Sequence, residues 1–276
     1  MIYILTIEMI SIASECEEAL FNLGAQSLVF EAESSLMKAY FSYPPNLELL
    51  KKKIQVEILS IETIREEDWL KHNRDSFQPI LIGQHFRVLP TWKDDETEDQ
   101  RWNIRLNPGL AFGTGGHETT RLCAHFLEKI TQEFKIDSVL DVGCGTGLLA
   151  LISSLLGVPK VVAMDHDPNC ENCIRELLED NQHLNPKPEF RYFIGSLDDP
   201  RIGKGYDCIV ANILLETINE LLPDLVRHLN PGGHLIVSGI PSSRTDEAAI
   251  DLTLHGLQLQ SILTEGSWVA LHARLH

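Results

Sequence analysis

The chain has 276 residues, 43% hydrophobic and 23% charged, a globular composition with room for one large domain and a small one; disordered and collagen-like chains are excluded. Forty acidic residues against 23 Lys and Arg leave a net charge of −17, which repels a phosphate backbone over most of the surface, so no direct nucleic-acid partner is expected and a basic partner is favoured. No apolar run reaches the roughly 18 to 20 residues of a membrane span, and the opening segment carries Glu8, Glu15, Glu17 and Glu18 without a basic stretch, so neither an anchor nor an export signal is expected.

Along the first 62 residues, period-two alternation predicts a strand at Tyr3 to Ile7, followed by a helical pattern from Ser14 to Leu23. Strands at Gln26 to Glu31 and Leu36 to Phe41 are expected to form a hairpin around Glu33-Ser34-Ser35. A short helix (Leu47 to Lys52) and a strand (Ile54 to Ile61) complete the order of a split βαβ, ferredoxin-like α+β domain over residues 1–62. Such a sheet commonly serves for docking, although the order names no ligand.

Residues 63–103 read as a linker and entry segment. A short helix holds Trp69, Pro79 breaks it, His85 to Leu89 resemble a strand, and Asp94 to Asp99 place five acids in six residues, as in a solvated loop.

From 104 to 276 the pattern changes. A Gly-rich segment, LNPGLAFGTGGHETT, leads into a helix with apolar positions Leu122, Phe126, Leu127 and Ile130. Strands at Ser138 to Val142, Val161 to Asp165, Phe190 to Ile194, Cys208 to Ala211 and Leu235 to Ser238 alternate with helices over Leu148 to Leu156, Asn169 to Asn181 and Glu216 to Leu229. Alternation at this spacing predicts a doubly wound α/β domain with a Rossmann-like parallel sheet. A helix from Asp246 to His255 precedes two strands joined at Glu265-Gly266, an antiparallel terminal hairpin. Cys16, Cys123, Cys144, Cys170, Cys173 and Cys208 are read as reduced thiols of a cytoplasmic protein; Cys170-x-x-Cys173 lacks the second pair of a zinc site, so no metal is expected.

In a doubly wound sheet the ligand lies beyond the carboxyl ends of the strands, where strand order reverses. The loop after the first strand reads VLDVGCGTGLLA, in which Gly143, Gly145 and Gly147 permit a sharp turn and close backbone approach. A dinucleotide fingerprint is G-x-G-x-x-G; here the third glycine arrives one residue early, which argues against a pyrophosphate pocket and a nicotinamide oxidoreductase. The second strand ends at Asp165, where a carboxylate can accept both hydroxyl protons of a ribose. The pattern fits an adenosyl group without a pyrophosphate.

With DVGCGTG as glycine motif and Asp165 as ribose acid, the sequence resembles the Rossmann-like, class I methyltransferases that use S-adenosylmethionine. LNPGLAFGTGGHETT, CIVANILLETINEL and EEDWLKHNRDSFQPI are similar to segments of the methyltransferases that modify large-subunit ribosomal protein L-eleven. The resemblance implies an N-terminal domain that grips that protein, free or ribosome-bound, and a C-terminal domain that trimethylates its N-terminal amine and lysine side chains. Carried over by position, it implies cofactor contacts at Thr120, Gly143, Asp165 and Asn212, with Asn212 also orienting the amine.

The residues leave some roles open. Thr120 can equally be a helix N-cap, and Asn212 a turn residue. His117 could act as a base, Phe112 could cover the cofactor, and Asp198 could reach the adenine amino group or be an exposed loop acid. Gly116 and Glu118 stand where relatives usually carry Thr and Pro, Asn73 where they carry a second tryptophan, and Leu214-Leu215-Glu216 replaces a smaller stretch. The alternatives are a class I methyltransferase for another protein or a small amine, and a non-catalytic adenosyl-binding module.

Overall fold

The computed structural model describes residues 1–9, 13–30, 35–41, 43–53, 56–65, 68, 77–93, 100–107, 113–185 and 189–276. Trp69, Asn73, Phe112, the acidic run 94–99 and the tip of the first hairpin lie outside the described residues. The chain forms two compact units, one over Met1–Gln78 and the other over Pro79–Asn107 with Gly113–His276.

The first unit runs β1 (Ile2–Met9), α1 (Ala13–Asn22), β2 (Ala25–Phe30), β3 (Leu36–Phe41), α2 (Leu47–Lys53) and β4 (Val56–Ile64). Its sheet has the order β2-β3-β1-β4, with every pair antiparallel. Leu5, Ile7, Met37, Ala39 and Phe41 turn one face of this sheet toward Cys16 and Leu20 of α1 and Leu50 of α2, and all eight are buried together. Alternation along the strands puts these apolar side chains on one face. β4 continues to Ile64 and pairs Ile2 with Ile64, so the sheet extends past the boundary at 62.

The second unit opens with a small sheet of β5 (Ile80–Ile82), β6 (Phe86–Leu89) and β7 (Trp102–Arg105). β6 pairs antiparallel with β5 and parallel with β7. The expected linker is therefore corrected at 79–93 and 100–103, where the described residues carry this sheet and belong to the second unit. Two buried polar side chains fasten this sheet. The Glu128 carboxylate accepts the backbone N–H groups of Gln84 and His85 at 2.9 Å, and Asn181 accepts the Arg105 N–H at 2.7 Å while donating to the Arg105 carbonyl at 2.6 Å. Each supplies partners that the short strands leave unmet.

The main sheet comprises β8 (Ser138–Val142), β9 (Lys160–Asp165), β10 (Glu189–Ile194), β11 (Tyr206–Asn212), β12 (Leu229–Pro241), β13 (Leu257–Glu265) and β14 (Trp268–Leu275), in the order β10-β9-β8-β11-β12-β14-β13. β8 to β12 pair in parallel, and β14 inserts antiparallel between β12 and β13. Helices α3 (Glu118–Glu133), α4 (Leu148–Leu155), α5 (Asn169–Asp180), α6 (Leu215–His228) and α7 (Thr245–Leu254) complete the unit. The strands alternate between two cores: Val139, Val161 and Cys208 pack with α3 and α4 side chains, while Leu140, Val162 and Ile209 pack with those of α6 and α7. Strands buried on both faces read as nearly continuous apolar runs. The predicted helical stripe of Leu122, Phe126, Leu127 and Ile130 is buried in the first core.

β12 is longer than its predicted four residues because it runs through Pro231-Gly232-Gly233, which reads locally as a turn. All six cysteines are free, and no cluster of three metal-ligating side chains occurs among the described residues. No helix among them is long and apolar enough to cross a membrane.

Candidate active site

Strand order reverses between β8 and β11, and three sequence-predicted residues meet at the carboxyl ends there. The glycine turn follows β8, Asp165 ends β9 and Asn212 ends β11. Gly143, Gly145 and Gly147 have φ of 68°, 52° and 82°, in the left-handed region that a Cβ disfavours. The turn is tied to β9 by the amides of Gly143 and Cys144, which donate to the Met164 carbonyl at 2.9 and 3.0 Å.

Asp165 is 6% exposed. One carboxylate oxygen accepts the Gly145 N–H at 2.9 Å and the other accepts the Asp167 N–H at 3.0 Å. Each oxygen carries two lone pairs, so both retain capacity for a further donor. A pair of vicinal hydroxyls matches that capacity.

Asn212 is buried, and its Nδ2 donates to the Thr120 hydroxyl at 3.3 Å. Its Oδ1 is buried without a hydrogen-bond partner among the described residues. An orphaned buried acceptor is costly, and its place at the switch point provides an acceptor for an N–H donor. The next residue, Ile213, is held between two glycines. Its Cγ2 lies 2.3 Å from where a Cβ on Gly143 would stand, and its carbonyl oxygen lies 2.2 Å from the corresponding position on Gly239. The Ile213 amide donates to the Ser238 carbonyl at 3.1 Å, so β8, β11 and β12 together place Asn212.

Thr120 lies in the first turn of α3, fully buried, and is not its N-cap. The cap is His117, whose Nδ1 accepts the Thr119 N–H at 3.3 Å. The His117 ring stands edge-on to that of Trp268 with centroids 5.0 Å apart, and burial pushes its pKa down to about 4, leaving it neutral near pH 7. The geometry thus gives this side chain a capping role. Asp198 is exposed in the loop after β10.

Asp141, the acid that opens the glycine motif, is a site residue that the sequence reading does not single out. It is buried, accepts the Ala150 N–H at 3.0 Å and has its pKa pushed up to about 7 by burial. Its position at the head of D-x-G-x-G-x-G was the available signal. Ile213 carried none, because its two glycine neighbours come from distant strands.

The family model described as Ribosomal protein L11 methyltransferase (PrmA) matches residues 6–276. A ribosomal protein L11 methyltransferase of Pelobacter propionicus is 34% identical over 252 residues, covering 85% of this chain and 80% of the relative. One of Clostridium botulinum is 34% identical over 262 residues, covering 90% and 82%. The crystal structure of a ribosomal protein L11 methylase from Lactobacillus delbrueckii subsp. bulgaricus superposes with a TM-score of 0.62 at 31% identity, covering 72% of this chain and 100% of that one.

Proposed function

Because the chain belongs to the ribosomal protein L11 methyltransferase family, we propose that it transfers methyl groups from S-adenosylmethionine to the N-terminal amine and lysine side chains of that ribosomal protein. The observation that carries this reading is the meeting of the glycine turn, Asp165 and Asn212 at one switch point.

The residues present fit the cofactor. Asp165 has acceptor capacity for two ribose hydroxyls, Gly143 keeps the turn free of a side chain, and the orphaned Asn212 Oδ1 offers an acceptor near the reacting centre. When bound, S-adenosylmethionine supplies a sulfonium methyl that an amine lone pair can displace from sulfur. Thr120 fixes the Asn212 amide by accepting from Nδ2, which leaves Oδ1 to accept an N–H of the incoming amine and aim its lone pair. Orientation of this kind supplies much of the rate in reactions that need no strong base.

The acceptor must arrive neutral. An N-terminal amine with a pKa near 7.7 to 8 is about a tenth or more neutral at pH 7, against about 0.04% for a lysine near 10.4. The N-terminal amine is therefore the easier acceptor, and a lysine must shed its proton on entering a desolvated site. The net charge of −17 favours the approach of a basic protein from the cytoplasm. We assign acceptor recognition to the N-terminal unit over Met1–Gln78, and transfer to the second unit, which begins at Pro79.

Mass spectrometry of purified ribosomal protein L11 after incubation with enzyme and S-adenosylmethionine tests the proposal. Whole-methyl increments on its N-terminus and lysines are expected. An unmodified protein, with transfer in a cell extract confined to other acceptors, would contradict it.

A further inference from the structure

The loop before α3 places three glycines in residues 113–117, so it has many conformations to lose and needs external anchors. Three are present. The Thr146 hydroxyl donates to the Gly113 carbonyl at 2.7 Å, and Ile82 Cδ1 closes on Gly115, 2.5 Å from where its Cβ would be. The third anchor is Arg121, whose Nη1 donates to the Gly116 carbonyl.

Arg121 does more than hold the loop. Its Nε and Nη2 donate to Glu265 Oε1 at 2.9 and 2.7 Å, and Nη2 lies 3.5 Å from Glu118 Oε1. Glu265 ends β13 at the turn into β14, whose first residue, Trp268, packs edge-on against His117. One planar guanidinium therefore joins the loop, the first turn of α3 and the terminal hairpin. A lysine cannot serve these directions at once, because its ammonium lacks the rigid fork. The residue before Arg121 is Thr120, whose hydroxyl holds Asn212.

We propose that Arg121 is a positioning residue for cofactor binding: it holds the 113–117 loop and the Thr120–Asn212 pair in the arrangement that accepts S-adenosylmethionine. The inference rests on the methyltransferase reading above. Without the anchor, the glycine loop spreads over more conformations, and apparent affinity falls with the fraction that remains competent. Saturating cofactor restores that fraction, so the penalty falls on KM and spares kcat.

Calorimetric titration of the full chain with S-adenosylhomocysteine, alongside hydrogen exchange of the amides at 113–117, tests this. For Arg121→Met, affinity should fall about tenfold, loop exchange should accelerate, and the KM for S-adenosylmethionine should rise with kcat little changed. Arg121→Lys should recover part of the affinity, and Glu265→Gln should lose part of it; both serve if Arg121→Met fails to fold. Wild-type affinity and loop exchange in all three variants would overturn the role of Arg121, as would a loss confined to thermal stability. A wild-type chain that itself binds no S-adenosylhomocysteine would overturn the methyltransferase reading as well.

Discussion

The Asp165 carboxylate accepts the amide N–H of Gly145 at 2.9 Å, so the strand-end acid and the middle of the glycine turn form one hydrogen-bonded unit. The acid shapes the turn while keeping lone pairs for a ligand, and the turn holds the carboxylate in a fixed direction. Damage to either should therefore be felt at both.

Gly143→Ala tests the turn. The new methyl would meet Ile213 Cγ2 at 2.3 Å, and the φ of 68° costs an alanine about 1–2 kcal/mol before any clash. Gly157→Ala is the control, since its φ of 96° is similarly strained but nothing lies within 4 Å. Thermal unfolding should show a larger loss for Gly143→Ala, accompanied by weaker S-adenosylhomocysteine binding, with part of both recovered in Gly143→Ala/Ile213→Ala. Equal losses at the two glycines would remove the steric argument.

Asn212 and Thr120 should behave as one unit in kinetics. Asn212→Ala is expected to lower kcat about 10- to 100-fold through misalignment of the amine. Thr120→Val, which removes only the hydroxyl acceptor, should cost about two- to tenfold, the worth of one ordinary hydrogen bond. The double variant should be no slower than Asn212→Ala alone. Independent, multiplying losses would show that the hydrogen bond does not transmit the effect.

The buried acid Asp141 predicts an unusual pH signature. Burial raises its folded pKa to about 7, above its unfolded value of 3.8, so between these values the native state binds the extra proton and stability falls as pH rises. Asn cannot titrate, so the stability of Asp141→Asn relative to wild type should climb from about pH 4 to 7 and then level off. His272 acts with the opposite sign. Burial pushes its pKa down to about 4, so its contribution is present above its unfolded pKa of 6.5 and is lost as pH falls toward 4. Comparing Asp141→Asn with wild type at each pH cancels that shared histidine effect, and a flat difference in thermal unfolding would contradict the assignment.

The central parallel sheet was the most legible part of the sequence. β8, β9 and β11 are largely apolar strands ending near a glycine turn, Asp165 and Asn212, so pattern and chemistry coincide. Of the small sheet of 80–105, the sequence shows only β6, as the strand at His85 to Leu89; β5 and β7 were not legible, because they have three or four residues and β7 pairs with β6 across the intervening acidic run. Its fasteners are non-local: Glu128 and Asn181 meet backbone groups 43 and 76 residues away. The start of α3 was ambiguous because His117, Thr119 and Thr120 are all polar residues near a helix entrance, and only the structure selects His117 as the cap.

Glu128 gives a direct test of that small sheet. Glu128→Ala would remove the acceptor of the Gln84 and His85 amides; both residues are exposed, so water can replace part of it and the cost is that of ordinary hydrogen bonds, about 0.5–1.5 kcal/mol each. Hydrogen exchange should show faster exchange at these two amides and a lowered unfolding temperature. Unchanged protection would mean that the carboxylate does not hold the turn.

The most direct test of the cofactor cradle is calorimetric titration of wild type and Asp165→Ala with S-adenosylhomocysteine. The wild type should bind, and the variant should lose at least about tenfold in affinity, since hydrogen bonds to a charged group are worth about 1.5–3 kcal/mol. Equal affinity in the two proteins, or no binding by the wild type, would contradict the assignment of Asp165 as the carboxylate that holds the ribose.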